Sequence, residues 1–144
     1  MENKEVNAKH MIKEVMYKWN FPVISENEHD VVFRYQMHYV QTSLFFDDDF
    51  ITLLLTLSGV FTPESEREMI AGLKTCGDLN GKLPLIKLYI DKEGELIITS
   101  EILFCKENLE TIMKFGLDAI MTAKTVFSKR YAEISREELK VIEN

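Results

Sequence analysis

Residues 83–104 read LPLIKLYIDKEGELIITSEILF. Two apolar runs flank a polar connection, Asp91-Lys92-Glu93-Gly94. Gly94 lacks a Cβ and takes the positive φ that closes such a turn, while Asp91 hydrogen-bonds the turn backbone. The stretch is a β-hairpin. Its neighbours decide the fold: a helical pattern on each side, and a group of strands earlier in the chain.

Immediately upstream, Thr62-Pro63-Glu64 opens a helix. Thr62 is expected to cap free N–H groups, Pro63 fits the first helical position, and Glu64 and Glu66 favour the positive end of the dipole. Met69, Ile70, Leu73 and Cys76 form its expected buried stripe, and Gly77 and Asn80-Gly81 end it. Downstream, Leu109, Ile112, Met113, Gly116, Ile120, Ala123, Phe127 and Tyr131 share one face of a long helix. Gly116 permits close approach of another element. Ser135-Arg136-Glu137-Glu138 has the capping-box pattern and predicts a last short helix in a tail over 132–144.

Further back, residues 31–36, 39–46 and 50–57 read as strands, with turns at Met37-His38 and at Asp47-Asp48-Asp49. The third is almost wholly apolar or threonine, as suits a central strand covered partly on both faces. Residues 3–19 form a first helix, with Ala8, Ile12, Val15, Met16 and Trp19 on one face. Pro22 stops it, and Trp19 and Phe21 pin its end to the sheet. The expected order is α-β-β-β-α-β-β-α. That is an α+β fold with a five-stranded antiparallel sheet and helices packed mainly on one face. The whole chain, 1–144, reads as a single domain with its core over about 3–131.

Composition narrows the classes. Of 144 residues, 46% are hydrophobic and 28% charged, the profile of a soluble globular chain long enough to bury a core without disulfides or metal. The net charge of −7 disfavours a phosphate backbone as partner. Lys124, Lys129 and Arg130 are the nearest thing to a basic cluster, and Asp118, Glu133, Glu137 and Glu138 flank them. No nucleic-acid partner is expected. The longest apolar-rich run, 50–61, is too short for a membrane span of about 20 residues. The charged opening MENKEVNAKHMIKE has no secretory pattern, so the expected location is the cytoplasm.

Candidate chemistry is sparse. Three adjacent carboxylates, Asp47, Asp48 and Asp49, cannot all face one ion, and the alternating acids of a calcium loop are missing. Asp91-Lys92-Glu93-Gly94-Glu95 is too short to wrap a cation. His10, His29 and His38 are scattered without zinc-ligand spacing. Cys76 and Cys105 show no CxxC spacing. Cys76 lies near a helix C-terminus, which raises a thiol pKa, so it reads as structural. Nucleotide-binding glycine patterns and the GxSxG elbow are missing from the sequence. No catalytic, cofactor-binding or metal residue is assigned, and a non-enzyme is expected. Met11, Met16, Met69, Met113 and Met121 are adaptable apolar side chains whose helical spacing suits core filling better than a binding surface.

Several segments resemble a known family. They are YKWNF (17–21), VVFRYQMHY (31–39), FFDDDFI (45–51) and PLIKLYIDKEGEL (84–96). With the element order, they resemble the type III secretion chaperone-like fold and, within it, the YbjN family of bacterial proteins. One departure is Met37-His38, where a glycine is often expected at the first hairpin turn. The resemblance implies protein-binding or regulatory roles, commonly as homodimers, and no catalytic residues. The expectation is therefore a chaperone- or adaptor-like module that binds another protein or peptide segment as a homodimer. The alternative is a small-ligand-sensing regulatory module. The helix near Gly116 and the edge of the 83–104 hairpin are the candidate self-interfaces.

Overall fold

The computed structural model describes residues 2–47 and 50–143. Helix α1 (Glu2–Lys18) precedes strands β1 (Val23–Glu26), β2 (Asp30–Tyr35), β3 (His38–Phe46) and β4 (Ile51–Leu57). Helix α2 (Glu66–Asn80), strands β5 (Ile86–Ile90) and β6 (Leu96–Leu103), and helix α3 (Leu109–Glu143) follow. The strands form one antiparallel sheet in the order β1-β2-β3-β4-β6-β5.

The α+β architecture is as expected, but the sheet has six strands, not five. The extra strand, β1, is short and largely exposed, and its register shifts between Val23 and Ser25. It has little apolar alternation of its own. It is a strand because β2 lies beside it, with Val23 opposite Phe33 and Glu26 opposite Val31.

Cross-strand alignment builds the core. Val23, Phe33, Val40, Leu57, Ile98 and Leu88 form one row that crosses all six strands. Five of these are buried, and Val23 packs against them. Leu44, Leu53 and Ile102 make a second apolar row. All three helices cover this face. Ile12 and Met16 of α1, Cys76 and Leu79 of α2, and Met113, Leu117, Ile120 and Phe127 of α3 join the same buried cluster. Among the methionines, Met16 and Met113 are buried, and Met11 and Met121 pack against the core. At Gly116 a Cβ would stand 2.6 Å from Leu55 Cδ1 and 2.9 Å from Ile102 Cδ1. Only a glycine lets α3 sit this close to the sheet.

Several local readings shift. The first hairpin turns at Gln36-Met37, one residue earlier than Met37-His38, because Tyr35 and His38 already pair. Both turn residues have positive φ, +47° and +69°, as a two-residue type I′ turn requires. The α2 cap is Ser65, not Thr62: its Oγ accepts from Glu68 N at 3.1 Å, and Glu68 reaches back to Glu64 N at 2.7 Å. Ile70 and Leu73 are exposed rather than buried, because α2 turns Ala71, Gly72, Thr75, Cys76 and Leu79 inward. Gly77 lies inside α2, which ends at Asn80. Helix α1 ends at Lys18 in a Schellman arrangement, with Asn20 at φ +59° and Phe21 N donating to Met16 O at 2.8 Å. No separate last helix forms: residues 132–143 continue α3, whose buried Ile134 extends its apolar face beyond Tyr131. The second hairpin is as read, with Gly94 at φ +84° and Asp91 Oδ1 accepting from Glu93 N and Glu95 N at 3.0 and 2.9 Å.

Candidate functional site

Among the described residues, those singled out for chemistry do not converge. His10 pairs with Glu14 on the outside of α1, at 3.0 Å. His29 stands in the β1–β2 turn, and His38 begins β3, where its Nε2 lies 2.7 Å from Lys124 Nζ. Cys76 is buried, and burial pushes its thiol up to about 11, far from a reactive thiolate at neutral pH. Cys105 sits beside Glu107, 3.4 Å away, in the turn before α3. Asp47 follows β3, with its N–H donating to Phe50 O at 2.9 Å, while Asp48 and Asp49 lie outside the described residues. Among the described residues no group of three His, Cys, Asp or Glu could hold a metal ion. Of the basic cluster on α3, Lys129 is exposed, while Lys124 and Arg130 are half-buried and engaged by neighbours. Lys124 faces His38, and Arg130 bonds Asp78 and Glu133, each at 2.9 Å.

The sheet edges are protected. At the β5 edge, the Asn80 carboxamide bonds both backbone groups of Leu88, at 2.7 Å each. At the opposite edge, β1 has four residues and a register shift. Short, irregular or covered edges resist strand addition. Gly116 faces the sheet. Of the two candidate self-interfaces, the hairpin edge is thus closed at Leu88, and α3 near Gly116 is exposed only on its outer side, at Phe115.

Two other surfaces are open. The first is an aromatic groove where α1 runs out. After Asn20, Phe21 stacks on Phe33 at 6.0 Å and meets Tyr35 edge-on at 4.9 Å, with Trp19 5.7 Å from Phe21. Helix α3 passes opposite, leaving a groove of about 350 Å³ lined by Trp19, Phe21, Tyr35, Lys114, Leu117 and Asp118. It opens into a wider trough along α3 towards Phe115, which is 68% exposed. Glu110 holds the Trp19 ring in place. It accepts from Trp19 Nε1 at 3.1 Å and from Lys18 Nζ at 2.9 Å, and the Lys18 contact is the main reason its carboxyl is held below the usual range. Burial, and then the charge of Asp118, raise the Tyr35 hydroxyl above the ordinary phenol range. The sequence marked Trp19 and Phe21 only as pins for α1. The groove could not be read there, because α3 contributes its other wall from about 90 residues away.

The second surface is the sheet face that no helix covers. Tyr39 and Phe45 of β3, Tyr89 of β5 and Leu103 of β6 stand between 43% and 61% exposed on it. They lie at its two ends, and Gln41, Thr56 and Thr99 form a polar row between them. The central strand β4 is thus buried on one face and only half-covered on the other.

No family model matches the chain, and no curated protein matches it. Solved structures do. The six-stranded sheet with its helices on one side is the YbjN and type III secretion chaperone-like fold. YbjN from E. coli aligns with a TM-score of 0.60 at 10% identity, over 86% of this chain and 91% of its own. The Yersinia pestis type III secretion chaperone SycH, solved with a stable fragment of YscM2, aligns at 0.50 and 16%, over 81% and 98%. A chain of the heterodimeric ExoU–SpcU complex from the type III secretion system of Pseudomonas aeruginosa aligns at 0.51 and 13%, over 83% and 93%. At these identities the likeness is one of fold. Among the described residues, no helix is long and apolar enough to cross a membrane.

Proposed function

We propose that this protein is a non-enzymatic protein-binding module of chaperone or adaptor type, working as a homodimer in the cytoplasm. The observation that carries this reading is the aromatic groove. It is open, apolar and walled by rings held in place by the fold, and it suits an anchor side chain from a partner's segment. The complexes formed by SycH and SpcU support the same reading through the shared fold. Self-association is assigned to the uncovered sheet face. Half-exposed aromatics of this size present on the order of 100 Å² each. Two such faces stacked about 10 Å apart would bury both apolar ends.

The test uses the purified protein as bait in lysate of its own organism, with Phe115→Glu as the companion bait. Retention of one partner in near-stoichiometric amount by the wild type, and its loss from the folded variant, supports the reading. A blank from both baits, with the protein folded, overturns it in favour of small-ligand sensing. Light scattering should give twice the chain mass for the wild type and the monomer mass for Phe45→Glu/Tyr89→Glu. A monomeric wild type removes the dimer.

A further inference from the structure

We propose that the groove of Trp19, Phe21 and Tyr35 takes a cationic side chain, arginine above lysine, from the bound protein, with the carboxylate of Asp118 opposite the charge. This deepens the protein-binding reading and rests on it.

The rings supply the first half of the argument. Phe21 and Tyr35 meet edge to face at 4.9 Å, and Trp19 closes the row at 5.7 Å from Phe21. A cation over such rings meets the negative face of their quadrupoles, and a planar guanidinium also stacks on them.

The charges supply the second half. Glu110 is already matched by Lys18 and by the Trp19 N–H, so it orients the ring without adding free charge. Lys114 and Asp118 remain, and neither forms an ion pair or hydrogen bond among the described residues. They stand four apart on α3 with the lysine first, which is the weaker order for a helical pair. The long Lys114 stem can carry its ammonium out to water. The short Asp118 side chain has no such reach and lines the groove together with Tyr35. A net charge of −7 draws cationic segments towards the whole molecule.

Trp19 is the only tryptophan in the chain, so its fluorescence reports on the groove directly. The experiment titrates the full chain with acetyl-Leu-Xaa-Leu-amide peptides, with Xaa as arginine, lysine, citrulline, norleucine or glutamate. The arginine peptide should bind at least fivefold tighter than the citrulline peptide, which keeps the shape and loses the charge. Asp118→Asn should abolish that ratio, and Lys114→Ala should widen it. Circular dichroism checks that both surface variants stay folded. Equal binding of arginine, citrulline and norleucine overturns the cation preference and leaves the protein-binding reading standing. A preference for glutamate overturns it by showing that Lys114 governs the groove. A silent Trp19 with every peptide overturns the groove as the anchor site. Failure of the broader reading is seen separately, as a blank in the lysate experiment.

Discussion

The side chain of Asn80 occupies the edge of β5 as a neighbouring strand would. It donates to Leu88 O and accepts from Leu88 N, each at 2.7 Å. The last residue of α2 thereby satisfies the outward backbone groups at the middle of an edge strand, which would otherwise solicit another chain. Asn80→Ala should cost about 2 kcal/mol, two neutral hydrogen bonds of about 1 kcal/mol each. It should also raise the tendency to self-associate. Urea unfolding measures the first effect and concentration-dependent light scattering the second. Unchanged stability with unchanged association would show the edge to be closed by other means.

Two glycines should respond to alanine with opposite signs. At Gly116 the new methyl would press on Leu55 and Ile102, and overpacking of this kind costs about 1–3 kcal/mol. At Gly77, inside α2, a Cβ meets nothing within 4 Å, so Gly77→Ala should stabilise by about 0.5–1 kcal/mol through helix propensity. Denaturation midpoints of the two variants test the pair.

The Gln36-Met37 turn holds two side-chain-bearing residues at positive φ. Met37 is 94% exposed, so its side chain contributes almost no burial to offset the strain. Met37→Gly should stabilise by about 1 kcal/mol. For a chain of this length that corresponds to a rise of roughly 2–4 °C in Tm, read by calorimetry.

Burial, and then the neighbouring Lys124 charge, hold the His38 imidazole below its ordinary pKa. Its neutral Nε2 accepts from the Lys124 ammonium, and protonation removes that acceptor. Because the folded value lies below the unfolded one, the contribution is fully present above about pH 6.5. It fades as the pH falls through the folded value. Urea curves at pH 7.5 and 5.5 should show the wild type losing more stability on acidification than His38→Gln does. Equal losses would remove His38 from the acid response.

Thr42 is buried in β3 between Val31 and Leu55, and its hydroxyl has no partner among the described residues. The same-shaped apolar side chain should serve better there. Thr42→Val is expected to stabilise by about 1 kcal/mol, measured by chemical denaturation. A loss of stability instead would show that the hydroxyl is satisfied.

Wherever one face of an element is apolar over several residues, the sequence was legible. The apolar and β-branched runs of β2–β4 and the 83–104 hairpin specified strands, and their faces followed once the strands paired, because a one-residue slip would expose the whole apolar set. The α3 stripe and Gly116 specified a helix lying close on a sheet. Shorter signals were ambiguous. Ser65-Glu66-Arg67-Glu68 carries a capping box, yet Thr62-Pro63-Glu64 offers an equally plausible start three residues earlier. Ile70 and Leu73 share the helical period of the buried residues, and only the placement of α2 over β5 decided which side faced inward.

By itself, then, the sequence determined the class of fold, the 83–104 hairpin and most of the interior outside α2, because periodic burial is a local property of the chain. Tertiary structure alone decided that β1 is a strand, that Asn80 closes an edge, and that Trp19, Phe21 and Tyr35 meet Asp118. Each of those features joins residues distant in sequence, and its energy exists only once the elements have packed.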